Sequence, residues 1–342
     1  MLGRGAVCGI RTAGLSPIFS MLIPDAGTNA EVIVTGGMRW GRTQMGKTIM
    51  TAAKMARVTA IAGRVRRMKN PQVTPRARPN AAPGSYTEPM PPKPRSAEYF
   101  DGWYADKVAT PAVDEIMNRH MGFPPGTRAG VVPAEAIPEL SAGLRLTPGA
   151  TLLDLACGRG AYGLLIARKA GTSLIGVDFS AQALAEAGEQ AARIGVTSAT
   201  FRTGELTATG LPDASVEAVL CTDAIQFPDE QADAYREIRR VLTPGGRVVL
   251  TCWEPLDHDD ERVSARLRRA SLGAGLRHAG FTDVEVRDRP SWLAREHALW
   301  EEAVTLDPGD DPALGSLHAE GVKALQWASL LRRVLATAAS PR

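Results

Sequence analysis

Cysteine is scarce: Cys8, Cys157, Cys221 and Cys252 are the only four, with no C-x-x-C pair and no close Cys/His spacing. That pattern excludes a zinc finger and a disulfide scaffold; reduced thiols in a cytoplasmic setting, and no metal, are expected. No apolar run approaches the roughly 18 residues that a membrane-spanning helix needs, so no membrane partner is expected. Acidic residues are nearly missing from the front of the chain, where residues 1–95 hold 15 Lys and Arg against 3 Asp and Glu. Residues 96–342 hold 25 against 34. A formal net charge of +3 therefore conceals a basic front joined to an acidic body, and only the body has the composition of a folded enzyme.

The front offers little to bury. Residues 69–95 are proline-rich and carry almost no apolar material to offset the entropy of ordering, so residues 1–95 read as a largely disordered extension. Residues 43–68 could form a basic surface helix. Gly41, Gly46, Lys47 and Thr48 match the spacing of a phosphate loop, G-x-x-x-x-G-K-[ST]. Such a loop needs a strand running directly into it and a parallel sheet to carry that strand, and no sheet can be built in this stretch, so a working nucleotide site is not expected. A targeting peptide, or a true start at Met68 or Met90, also fits an acid-poor, Arg-rich front. Attraction of nucleic acid to this arm would be nonspecific, because no aromatics are interleaved with its cations.

From residue 96 the pattern is a helical prelude followed by alternating strands and helices. Residues 106–121 read as a helix preceded by the aromatic cluster Tyr99, Phe100, Trp103 and Tyr104, and 134–144 as a second, short helix. Strands are expected at 151–156, 173–177, 199–203, 216–222, 247–253 and 282–287, with a short terminal strand near 334–337. Helices are expected at 160–170, 181–194 (Ser180 as N-cap), 229–242, 262–279, 291–306 and 317–332. Near-continuous apolar strands separated by helices predict an α/β fold with a doubly wound, mostly parallel sheet. Ligands are then expected at the carboxyl ends of the central strands.

The strongest chemical signal is L-D-L-A-C-G-R-G-A-Y-G, residues 153–163, which sets Gly158, Gly160 and Gly163 at the turn from the first strand into the first helix. A G-x-G-x-x-G alone is weak evidence. Asp178 strengthens it, since a carboxylate ending the second strand can take both hydroxyls of a ribose. The nucleoside is selected by Asp154, expected near the mouth of the first strand. A pyrophosphate would be repelled there, whereas S-adenosylmethionine brings an ammonium and a sulfonium. Gly163 reads as a packing glycine, and Cys157, Cys221 and Cys252 as small apolar fillers near strand ends.

Taken in order, these motifs resemble the class I S-adenosylmethionine-dependent methyltransferases, in particular the small-molecule enzymes of the ubiquinone/menaquinone-biosynthesis type. The resemblance covers residues 97–290 and implies a seven-stranded Rossmann-like methyltransferase fold. It implies that Asp154, Ala156, Gly158 and Gly160 cradle the methionine end of the cofactor, that Asp178 holds the ribose, and that Phe179 packs beside the adenine. Gly204, Glu205 and Leu206 fall where the family meets the adenine amine, with Glu205 in place of the more usual Asp. Cys221 and the residues after it are expected at the methyl-transfer end, and the R-V-L-T-P-G-G-R segment, 240–247, matches the family's turn before the fifth strand.

Methyl transfer from a sulfonium is a displacement in which positioning supplies much of the barrier reduction. A base, where the acceptor needs one, is expected from Asp223 after the fourth strand or His258 after the fifth, with Gln226 and Asp257 as further candidates. Tyr99, Phe100, Trp103, Tyr104, Trp253 and Trp292 are available as an apolar lid, which suggests a flat or hydrophobic small-molecule acceptor. No Asn/Asp-Pro-Pro-aromatic signature follows the fourth strand, which disfavours the amino-group DNA methylases. Three alternatives stay open: a non-methylating or cyclase protein on the same scaffold, an NAD-dependent oxidoreductase, and a basic-armed nucleic-acid binder. The oligomeric state is not legible.

Overall fold

The computed structural model describes residues 97–342. The phosphate-loop-like stretch 41–48, the basic segment 43–68 and the proline-rich stretch 69–95 lie outside the described residues. In chain order the elements are α1 (Ala97–Ala109), α2 (Pro111–Met121), a single 3-10 turn (Ala134–Ala136) running into α3 (Ile137–Leu144), β1 (Thr151–Leu155), α4 (Ala161–Ala170), β2 (Ser173–Asp178), α5 (Ala181–Ile194), β3 (Ala199–Thr203) and β4 (Val216–Thr222). There follow α6 (Gln231–Val241), β5 (Leu242–Pro255), α7 (Ala265–Arg268), α8 (Leu272–His278), β6 (Thr282–Asp288), α9 (Pro290–Ala303), α10 (Pro312–Trp327) and β7 (Leu331–Ala339).

The seven strands form one sheet in the order β3-β2-β1-β4-β5-β7-β6. The first five run parallel, and β7 lies antiparallel between β5 and β6, pairing along β5 from Arg247↔Ala339 to Pro255↔Leu331. Both faces are covered, which is why the central strands are apolar at nearly every position. On one face Leu152 and Leu220 pack with Ile166 and Leu140; on the other, Leu153 and Leu155 pack with Ile238 and Leu272. The Thr243–Gly246 turn survives as an irregularity in β5, where the pairing with β4 jumps from Val216↔Leu242 to Ala218↔Arg247.

Three expected boundaries are corrected. The prelude is two helices rather than one, because Pro111 opens α2 and the residue before a proline is pushed out of the helical region; Thr110 sits at φ −126° and ψ 81°. The aromatic cluster consequently lies inside α1. The expected helix 262–279 breaks into α7 and α8, Ser271 standing in extended conformation before α8. The last helix stops at Trp327, since Leu331 and Arg332 already pair with β5. No helix among the described residues is long and apolar enough to cross a membrane.

Candidate active site

The strand order reverses between β1 and β4, and in an open α/β sheet the crevice outside the carboxyl ends at that point is where ligands bind. Two non-glycine residues mark it with left-handed backbone: Ala156, just after β1, at φ +56° and Asp223, just after β4, at φ +57°. Strained backbone of this kind concentrates at functional sites. From Ala156 the chain turns through Gly158 at φ +51° and Gly160 at φ +76° into α4. A Cβ on Gly158 would stand 2.8 Å from the Tyr104 hydroxyl oxygen of α1, so the position needs glycine for space as well as for conformation.

Asp178 ends β2 beside this turn. Its Oδ2 accepts from the Gly158 amide at 2.8 Å and its Oδ1 from the Ser180 amide at 2.9 Å, while burial pushes its carboxyl above the usual carboxylate range. The carboxylate therefore joins the glycine bend to the start of α5, where the Ser180 hydroxyl accepts from the Ala183 amide as the expected N-cap. Phe179 follows, half-buried, with its ring edge-on to Phe100 of α1 at 5.4 Å. Gly204 donates its amide to the Asp178 carbonyl, and half-buried Leu206 packs on the core beneath. Glu205 is exposed and tied through its backbone to Ala208.

Asp154 is placed deeper than a strand mouth. It is 1% exposed within β1 and reaches under the first turn of α4, where its Oδ2 accepts from the Gly163 amide at 3.1 Å. Gly163 is indeed a packing glycine, since a Cβ there would fall 2.5 Å from Asp154 Oδ2. The other oxygen, Oδ1, is buried with no hydrogen-bond partner. Burial raises the carboxyl to about 7.

Three expected site residues are corrected. Asp223 is no free base: Arg333 of β7 donates to both its oxygens at 2.9 Å and the Thr251 hydroxyl donates to Oδ1 at 2.7 Å. His258 faces solvent, its Nδ1 2.7 Å from the Arg268 carbonyl oxygen. Cys221 is fully buried in the core, because side chains alternate along β4 and the next residue, Thr222, is the one that reaches the cavity. Of the further base candidates, Asp257 is exposed and accepts from the Asp259 amide, and buried Gln226 donates to the Asp223 carbonyl. Trp292, expected in a lid, is a core residue.

Sequence reasoning missed how α1 seats. Asp101 Oδ1 accepts from the Ser180 hydroxyl at 2.5 Å and the Gln182 amide at 3.2 Å, pinning α1 across the start of α5. Beneath α1 lies a cavity of about 130 Å³ lined by Trp103, Lys107, Met117, Tyr162, Thr222 and the turn from Ala156 to Arg159. It also missed a buried network at the ends of β4, β5 and β7. Arg333, its side chain fully buried, lies between Asp223 and Glu296 of α9, with its guanidinium 4.1 Å from the centroid of the Trp253 ring. Glu296 in turn accepts from the indole nitrogens of Trp253 and Trp300. No sequence motif flags Arg333, the second of two adjacent arginines near the start of the terminal strand. No group of three or more His, Cys, Asp or Glu among the described residues could hold a metal.

Residues 152–246 match the model of a family described as a methyltransferase domain. Phosphoethanolamine N-methyltransferase 1 of Arabidopsis thaliana is 30% identical over 156 residues, covering 43% of this chain and 31% of the relative. Arsenite methyltransferase of Halobacterium salinarum is 30% identical over 154 residues, 41% of this chain and 39% of the relative. The chain thus spans between about a third and two fifths of the length of these relatives. Among solved structures, the [4+2]-cyclase SpnF superposes with a TM-score of 0.56 at 22% identity over 72% of this chain and 96% of that one. Haemonchus contortus phosphoethanolamine N-methyltransferase 2 superposes with a TM-score of 0.57 at 19% identity over 71% of this chain and 60% of that one. The sheet is the Rossmann-like methyltransferase fold.

Proposed function

We propose that this chain is a class I S-adenosylmethionine-dependent methyltransferase, of the ubiquinone/menaquinone-biosynthesis type, acting on a small-molecule acceptor. The domain spanning residues 96–342 carries the chemistry, and residues 1–95 are dispensable for it. The observation that carries the reading is the paired placement of Asp178 on the Gly158 amide and of Asp154 beneath α4 with one oxygen left unpartnered.

The donor set fits S-adenosylmethionine. Two buried carboxylates beside a glycine bend make a negative region that suits a ligand carrying an ammonium and a sulfonium, and they oppose a pyrophosphate. Asp154, Ala156, Gly158 and Gly160 would hold the methionine end, and Asp178 the ribose. Phe179, Gly204, Glu205 and Leu206 would surround the adenine. Bound there, the cofactor supplies an electrophilic methyl on a sulfonium, which leaves with the bonding electron pair. The chain contributes positioning and exclusion of water: α1, pinned by Asp101, covers the crevice, and Thr222 with Tyr162 bounds the cavity beneath it. Asp223, held by Arg333, fixes the backbone just beyond Thr222.

The test is to incubate the full chain with S-adenosylmethionine and a bacterial metabolite extract and to measure S-adenosylhomocysteine. Release that depends on the extract supports the proposal. Tight cofactor binding without release would support a non-methylating protein on the same scaffold, the kind of chemistry that the name of the [4+2]-cyclase neighbour describes.

A further inference from the structure

Lys107 is the cation on the α1 side of the cavity that makes no ion pair among the described residues. It is 4% exposed, with Nζ 3.5 Å from Met117 Sδ and 3.5 Å from the centroid of the Trp103 ring. Of its acidic neighbours two are committed elsewhere, and the third, Glu320 of α10, acts on it from beyond ion-pair distance. Asp114 is held by both Arg159 nitrogens at 2.5 and 2.6 Å, and Glu186 lies 3.6 Å from Arg159 and 3.3 Å from Arg128. No ion pair to Lys107 occurs among the described residues. A thioether and an aromatic face are weak substitutes for an anion. Burial, with the Arg159 charge adding to it, lowers the ammonium to about 8 against the opposing pull of Glu320, Asp114 and Glu186. The same cavity wall includes Gly158 and Thr222, so under the proposed reading the ammonium lines the crevice that would hold the ligands.

We infer that Lys107 is the anchor for an anionic oxygen of the ligands of this site, either the carboxylate of the cofactor or an acidic oxygen of the acceptor such as a phenolate or carboxylate. This inference rests on the proposed methyl transfer and gives it a substrate class. A buried ammonium opposes a cationic acceptor and stabilises a nucleophile carrying negative charge, which is the form of a hydroxyl that attacks a methyl. Lys107 is a binding and positioning residue here; the proton of a neutral hydroxyl passes to solvent water before the anion docks.

The experiment compares the unsubstituted full chain with Lys107→Met and Lys107→Arg, using S-adenosylhomocysteine, 5′-methylthioadenosine (which lacks the carboxylate) and 4-nitrophenolate as probes. If the cofactor supplies the anion, K107M loses about tenfold in affinity for S-adenosylhomocysteine and nothing for methylthioadenosine, the loss expected for one charge-assisted hydrogen bond. If the acceptor supplies it, both nucleosides bind K107M normally while 4-nitrophenolate binding falls by about tenfold, and K107R restores part of it. Equal binding of all three probes to K107M and the unsubstituted chain would overturn the inference. Failure of the unsubstituted chain to bind either nucleoside would overturn the proposed function instead. The 4-nitrophenolate comparison, made on the free chain, then still decides for or against Lys107. Matching melting temperatures of the three chains exclude a folding defect as the cause.

Discussion

The carboxylate that ends β2 also clasps the bend that follows β1: Asp178 Oδ2 accepts from the Gly158 amide at 2.8 Å. One side chain thus ties the glycine turn to the start of α5. Asp178→Ala removes the acceptor of two backbone amides and, on the proposed reading, a charged partner for the ribose hydroxyls. Cofactor affinity is expected to fall at least about tenfold, equivalent to about 1.5–3 kcal/mol. Isothermal titration with S-adenosylmethionine checks this, and an unchanged affinity would remove Asp178 from the binding site.

If Asp154 meets the cofactor as proposed, binding should depend on pH. Its carboxyl is raised by burial from 3.8 to about 7 in the folded chain. Because the folded value lies above the unfolded one, this group adds stability that is fully present below pH 3.8 and is lost as pH rises through about 7. Binding runs in the opposite direction, since a cationic ligand favours the ionised form. Between about pH 6 and 8, S-adenosylmethionine affinity should rise while the melting temperature of the free chain falls. Asp154→Asn should flatten both trends. A binding profile independent of pH in the unsubstituted chain would contradict this.

Gly158→Ala tests the contact with α1. The new methyl must displace the Tyr104 hydroxyl and adopt a left-handed φ, at a combined cost of about 1–3 kcal/mol. Melting temperature and cofactor affinity should both drop. Adding Tyr104→Phe should recover part of the loss by vacating the oxygen 2.8 Å away. No recovery would mean that backbone strain alone carries the effect.

Breaking the buried Arg333–Asp223 pair should be costly, because it strands a charge: Arg333→Met is expected to destabilise by about 3–5 kcal/mol in urea unfolding. The double change R333M with D223N should cost less than the sum of the two single changes. His258→Ala, removing an exposed side chain, should leave methyl transfer unchanged; a large loss of rate would return His258 to the site.

The parallel sheet, its strands and the glycine bend were legible because their information is local. Residues 181–194, 199–203 and 216–222 carry unbroken periodicity between clear turn signals, and the elements there begin and end where the pattern does. Asp178 was legible for the same reason, as the residue ending an apolar strand. The rest was not local. Thr110-Pro111 and Ser271 cut amphipathic patterns that otherwise read as single helices. The roles of Asp223 and Arg333 depend on a pair 110 residues apart, and that of Asp101 on a contact with Ser180 across 79. No spacing rule reaches so far. Lys107 lay at the start of a stretch read for its apolar spacing, where one cation carries no signal until its burial is seen.

The most direct test of the account is competitive titration of the full chain with S-adenosylmethionine and NAD near pH 8, where Asp154 is ionised. The account predicts saturable binding of S-adenosylmethionine that NAD does not displace, lost with Asp178→Ala. Binding of NAD in the absence of any affinity for S-adenosylmethionine would contradict it.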